Sequence, residues 1–248
     1  MRKVFVLNFA LAAVFLGGAA MMTQAASESA PKPGARPVLV ELFTSQGCSS
    51  CPPADRLAER LSADPSLVVV TRPVTYWDRL GWKDTLARPE NTELQREYSV
   101  KGGRGGRVYT PQVVVDGEAA TIGSRGREIG SLVSAARKGT AARLAVAKQS
   151  DGAFGIRAEG KAARPAELVL LALKARAPVA IGRGENAGAT ISYTNVVLSE
   201  RRLGTWQGGT KTFPASARLL KVPHADRYAL VLREPGGGKV LAARMLRL

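Results

Sequence analysis

The sequence predicts an α/β domain over residues 37–140 followed by an all-β domain, a sandwich or a barrel, over residues 141–248. Three observations predict it. As far as Gly139, apolar runs of strand length alternate with apolar residues at helical spacing. From about residue 142 the apolar residues recur at every second position, with turn signals at regular intervals. The length of 248 residues suits one large domain or two small ones.

Taken in order, Met1-Arg2-Lys3 precedes an apolar run from Val4 to Ala20, with small residues at Thr23 and Ala25. This predicts a secretory signal peptide over residues 1–25. Asn8 and Gly17-Gly18 interrupt the run, which falls short of the roughly 20 residues of a span. The mature chain is therefore expected in the periplasm or outside the cell, without stable membrane insertion. Residues 26–36 have the composition of a flexible leader. Val38 to Phe43 is a strand carrying one acid, Glu41, and a loop leads to Cys48-Ser49-Ser50-Cys51. Pro52-Pro53-Ala54-Asp55 starts a helix, because proline is tolerated and acids are favoured in the first turn. Leu67 to Val70 is a second strand.

Residues 76–107 form an insertion rich in polar and aromatic residues, with a helix around Glu90 to Tyr98 and a glycine-rich loop after it. Tyr109-Thr110-Pro111 then enters the strand Gln112 to Val115, Asp116-Gly117 signals a hairpin, and Glu118 to Ile122 returns. Ser124 to Lys138 is a helix stopped by Gly139. In the second half, Leu144/Val146, Phe154/Ile156/Ala158, Leu168/Leu170 and Leu230/Leu232 alternate with other residues between Gly-rich turns.

Composition narrows the function classes. Hydrophobic residues are 45% and charged residues 23%, which excludes a disordered chain, a collagen and a polytopic membrane protein. The formal net charge is +16, but the basic residues are scattered and no nucleic-acid motif accompanies them, so they read as a solvated surface. A single histidine, His224, excludes a zinc site built from several histidines.

The two cysteines, Cys48 and Cys51, carry the chemistry. At the start of a helix, unsatisfied N–H groups and a partial positive charge favour a thiolate at Cys48. Cys51 lies near enough to resolve a mixed disulfide within the chain. A CxxC can also be half of a zinc site, but no second cysteine pair exists here. A static structural disulfide is the competing reading, and Cu(I) handling by two thiolates is a third.

The strand-CxxC-helix unit, the later β-β-α unit and Thr110-Pro111 resemble the thioredoxin-like superfamily. That resemblance implies a cis-proline at Pro111 beside the CxxC, binding a partner's backbone together with Thr110. It also implies that Glu41 is a buried acid relaying protons to Cys51. More closely, the chain resembles the domain-of-unknown-function 1223 family of secreted bacterial proteins. The resemblance lies in Glu41 to Asp55, Tyr76-Trp-Asp-Arg-Leu-Gly-Trp-Lys-Asp84, Tyr109-Thr-Pro-Gln-Val-Val-Val-Asp-Gly117, Gly184-Glu-Asn-Ala-Gly188 and Asn195-Val-Val197. The family implies an exported thioredoxin-like domain and a β-rich C-terminal region, with no established substrate. Where it usually has His and Asp before the Tyr-Trp-Asp, this chain has Pro73 and Thr75. Tyr76, Trp77 and Trp82 either line a substrate groove or pack the insertion onto the core. Gly182 to Gly188 either cradles an anion or is simply a hairpin.

The expectation is an exported thiol-disulfide oxidoreductase. Cys48 attacks, Cys51 resolves, Glu41 relays the proton, and Thr110, Pro111 and Trp77 bind the partner. No cofactor is needed, because electrons move through the dithiol. The expected partners are protein dithiols or disulfides of the cell envelope. The rival is a non-enzymatic envelope binding protein with a fixed Cys48–Cys51 bond.

Overall fold

The computed structural model describes residue 1 and residues 36–139, 142–148 and 153–246. The signal peptide expected over residues 1–25, apart from Met1, and most of the leader lie outside the described residues. The elements are β1 (Val38–Thr44), α1 (Pro52–Leu61), β2 (Leu67–Pro73), α2 (Pro89–Lys101), β3 (Gln112–Val115), β4 (Ala119–Ile122) and α3 (Gly126–Ala136), then β5 (Ala142–Lys148), β6 (Phe154–Gly160), β7 (Ala166–Ala180), β8 (Thr190–Trp206), β9 (Gly209–Ala215), β10 (Arg227–Arg233) and β11 (Val240–Met245).

β1 and β2 are parallel, β3 and β4 run antiparallel beside β1, and α1 and α3 cover one face. That face buries Val38, Val40, Leu42, Leu67, Val69, Val113 and Val115 against Ala54, Ala58, Ile129 and Val133. On α1, Ala54 and Ala58 are one turn apart, and the amphipathic spacing continues to the half-buried Leu61. On the opposite face, Phe43, Val74, Leu94, Tyr98 and Val114 pack together beneath α2, with Tyr76 and Trp77 against them. The ring of Phe43 meets Tyr98 edge-on at 6.1 Å.

The expectation of an α/β thioredoxin fold followed by an all-β domain is overturned. The chain is mostly β, with eleven strands and three α-helices among the described residues. Eight strands form one mixed sheet in the order β11-β10-β7-β8-β2-β1-β3-β4, and β5-β6-β9 form a second, three-stranded sheet. The sheet therefore draws strands from both halves of the sequence. Its joint is a parallel pairing of β2 with β8, where Thr71 lies opposite Val196. Thr71 Oγ1 donates to the Thr194 carbonyl at 2.6 Å, and Asn195 Nδ2 donates to the Val69 carbonyl at 2.8 Å.

The reason lies in the residues between the alternating ones. Leu168, Leu170, Leu230 and Leu232, with Trp206, do face the three-stranded sheet, where they join Ile156 and Phe213 in one core. But Val169, Leu171, Ala229 and Val231 are just as buried on the other side, against Leu39, Val68 and Val70 of β1 and β2. β11 closes that second core with Val240 and Ala243 and packs against β1. Strands buried on both faces need apolar residues at every position, not at every second one.

Candidate functional site

β1 delivers the chain to a buried loop, Ser45-Gln46-Gly47, and then to a turn closed by a Cys48–Cys51 disulfide with the Cα atoms 5.4 Å apart. The Cys51 N–H donates to the Cys48 carbonyl at 3.1 Å. Cys51 is the residue that caps α1, and Cys48 lies one turn before the helix. The expected free N–H groups of the helix start are not there. Pro52 and Pro53 have none, and the N–H groups of Ala54 and Asp55 both donate to the Cys51 carbonyl, at 2.8 and 3.1 Å. The hydroxyl of Ser50 lies 3.3 Å from Cys48 Sγ instead, and it is the side chain placed to hydrogen-bond a sulfur there. Both cysteines are fully buried, while Ser49 and Ser50 between them are exposed.

Four of the other expected site residues fall into two groups. The Thr110–Pro111 bond is cis, and Pro111 is buried at the start of β3. Gly123 shows how close it comes to α1. A Cβ there would lie 3.0 Å from Pro111 Cβ, 3.1 Å from Ala54 Cβ and 2.8 Å from Leu42 Cδ1, so only glycine fits between these elements. Trp77 Nε1 donates to Thr110 Oγ1 at 2.7 Å, and Trp77 Cβ would lie 3.5 Å from a Cβ on Gly47. Trp77 thus spans from the residue before Cys48 to the residue before Pro111.

Glu41 stands apart. It alternates with Val40 and Leu42, which face α1, so it points to the other side of the sheet. There it accepts from Arg72 Nε at 2.6 Å and from the Tyr98 hydroxyl at 2.5 Å. Arg72 also pairs with Glu200 of β8 at 2.5 Å, and Arg233 of β10 bonds Glu200 at 2.8 Å. Burial alone would raise the Glu200 carboxyl, but the two guanidiniums hold it down at about 2. Glu41 belongs to this buried ion network on the face away from α1.

A buried acid, Asp55, lies four residues after Cys51 and therefore on the same side of the helix. It is 2% exposed. Oδ1 accepts from Thr44 Oγ1 at 2.8 Å, and Oδ2 has no partner. Burial pushes this carboxyl up to about 7, the Thr44 hydrogen bond opposes the rise, and neighbouring Asp84 adds to it. Asp84, also raised by burial, accepts from the N–H groups of Gln46 and Leu86, each at 2.8 Å. Tyr193 of β8 completes the cluster. Burial raises its hydroxyl, Asp55 and Asp84 raise it further, and it too has no hydrogen-bond partner. The sequence marks Asp55 only as a first-turn acid within a longer motif, and Asp84 only as the end of another. Their burial depends on β8, which arrives from the other half of the chain.

The turn between β7 and β8 covers the cysteine turn. Asn186 Nδ2 donates to the carbonyls of Gln46 and Cys48 at 2.9 and 3.0 Å, and Glu185 Oε2 accepts from the Ser49 N–H at 2.9 Å. Trp82 Nε1 donates to Gln46 Oε1 at 2.8 Å and packs with Ile181, Ile191 and Tyr193. Among the described residues, no group of three or more His, Cys, Asp or Glu side chains is placed to hold a metal ion. Among the same residues, no helix is long and apolar enough to cross a membrane.

The fold is shared with known proteins. The model of a family described as "Protein of unknown function (DUF1223)" matches residues 39–233, and the chain belongs to that family. The X-ray structure of an Agrobacterium tumefaciens protein is 30% identical, with a TM-score of 0.74 over 86% of this chain and 94% of that one. HBP35 of Porphyromonas gingivalis is 17% identical, with a TM-score of 0.59 over 86% of this chain and 76% of that one, a likeness of fold alone. No curated protein matches the chain.

Proposed function

We propose that the protein is an exported thiol-disulfide oxidoreductase whose working pair is Cys48 and Cys51. The observation that carries this reading is Asp55, a buried carboxyl with an unpartnered oxygen one helical turn after Cys51. A static disulfide gains nothing from such a group, and leaving a carboxyl buried and unpaired is costly. A dithiol that exchanges does gain from it, because Cys51 must lose a proton before it can attack. A carboxyl near 7 accepts that proton at neutral pH.

The exchange is then as follows. The Cys48 thiolate attacks one sulfur of a partner disulfide, that S–S bond breaks, and the partner's other sulfur leaves as a thiolate. Cys51 gives its proton to Asp55 and attacks Cys48 Sγ. The mixed disulfide breaks, the second partner sulfur leaves, and the Cys48–Cys51 bond closes. Two electrons pass from this chain to the partner, and every step runs in reverse when the partner is a dithiol. The half-buried Thr110 and Trp77, set by the buried cis Pro111, form the surface beside the cysteine turn on which the partner's chain rests. Export rests on the charged and apolar N-terminal residues, and it supplies an oxidising compartment in which the bond persists.

A second reading, a fixed disulfide in an envelope binding protein, is favoured by one observation: neither cysteine is exposed. Trapping separates the two. The Cys51→Ala variant keeps the attacking thiol and should form stable mixed disulfides with a disulfide-bonded model protein, and Cys48→Ala should form few. Equal, negligible trapping by both variants supports the fixed bond.

A further inference from the structure

We infer that Glu185 and Asn186, at the turn between β7 and β8, are positioning residues that close the cysteine turn and set the reactivity of Cys48. This rests on the reading of Cys48 as the attacking thiol.

The turn is built to lie where it does. Ile181 and Ala189 close it through an N–H to carbonyl bond of 2.9 Å, and the Gly188 N–H returns to the Ile181 carbonyl at 2.8 Å. Its inner side rests on Trp82. A Cβ on Gly182 would come within 3.1 Å of Trp82 Cζ3, and one on Gly184 within 3.3 Å of Trp82 Cβ. Gly184 also has a φ of +82°, so it serves both the bend and the close approach. Trp82 is itself fixed to Gln46, two residues before Cys48. The turn is thus seated, and it presents two polar side chains to the cysteines.

Those side chains do different things. Asn186 holds the carbonyls of Gln46 and Cys48 with one amide, which fixes the backbone on both sides of Gly47 and keeps Cys48 covered. Glu185 takes the Ser49 N–H, and this N–H and the Ser49 hydroxyl hold its carboxyl below the usual range, so it is ionised at neutral pH. Pro52 and Pro53 bring no N–H, and the Cys51 N–H is used by Cys48 itself. That leaves Ser49 and Ser50 as the backbone donors between the cysteines, and Glu185 occupies the first. An anion next to Cys48 opposes the formation of a second anion on its sulfur. The turn therefore makes Cys48 both less accessible and less readily ionised.

The experiment uses the full chain and small reagents. Alkylation of the reduced protein by iodoacetamide is followed against pH, with the site read by peptide mass. Reduction of the oxidised protein is timed with a water-soluble phosphine, which becomes its oxide with oxygen from water while the two sulfurs take the protons. Glu185→Gln should raise the Cys48 alkylation rate at pH 6 by roughly two- to fivefold, the effect of one charge at a helix start, and move the profile to lower pH. Asn186→Ala should speed reduction without moving the profile. Glu185 is exposed and Asn186 half-buried, and thermal melts check that both variants fold. An unmoved alkylation profile in Glu185→Gln together with an unchanged reduction rate in Asn186→Ala overturns the inference. Neither probe needs a protein partner. If the wild-type chain exchanges with no protein disulfide while these rates still move, the oxidoreductase reading fails and the role of the turn stands.

Discussion

Asp55 and Glu41 are both buried acids near the cysteines in sequence, but they do different work. Glu41 and Glu200 together balance Arg72 and Arg233, so removing Glu41 leaves this buried network with one cation in excess. Glu41→Ala should cost about 3–5 kcal/mol in denaturant unfolding. Asp55 has no cation bonded to it. Its carboxyl holds a proton up to about pH 7 in the folded chain but only to about 3.8 when unfolded. The folded state therefore binds more protons between these values, and stability contributed by the protonated form is lost as pH rises from about 4 through 7. Asp84 is shifted in the same direction. Thermal melts between pH 4.5 and 7.5 should show Asp55→Asn gaining on the wild type as pH rises. Its dithiol should also close more slowly from the mixed disulfide at neutral pH. A pH-independent gap between the two proteins would remove Asp55 from the proton path. Glu41 was the acid legible in the sequence because it sits in the strand before the CxxC. Its side of the strand, which decides its partners, could not be read without knowing where α1 packs.

At the level of elements, the local units were legible and the joints between them were not. The Asp116-Gly117 turn, with both residues at positive φ, closes β3 on β4 as the dipeptide implies. The cysteine turn likewise sits between β1 and α1. The β2–β8 joint has no such signature, because parallel pairing between distant segments is set by burial rather than by a turn. It depends on Asn195, which has a φ of +49°, donates to the Val69 carbonyl and accepts from Arg227 at 2.8 Å. Asn195→Ala loses both bonds and strains the backbone, and should cost about 2 kcal/mol in chemical denaturation. Asn195→Gly, which keeps the backbone freedom but not the bonds, should recover part of that loss. Equal stability of both variants and the wild type would show that β8 is held by its apolar residues alone.

On the scale of the whole molecule, Leu39, Val68 and Val70 of the first half have no core of their own on that face. They are covered by Val169, Leu171, Val231 and Val240. Residues 37–140 expressed alone would expose this surface and the open edge of β2, so they should remain unfolded by circular dichroism even with the disulfide intact. A cooperative melt from that fragment would contradict the shared core. The shared sheet also assembles the candidate site, since β8 brings Tyr193 to Asp55 and Asp84, and the turn before it brings Glu185 to Ser49 and Asn186 to Cys48. The most direct measurement is the reduction potential of the Cys48–Cys51 pair, taken at equilibrium in defined thiol-disulfide buffers at pH 7. An exchanging pair should lie within the range of known oxidoreductases, roughly −120 to −270 mV, and a value below about −300 mV would make the bond a structural one.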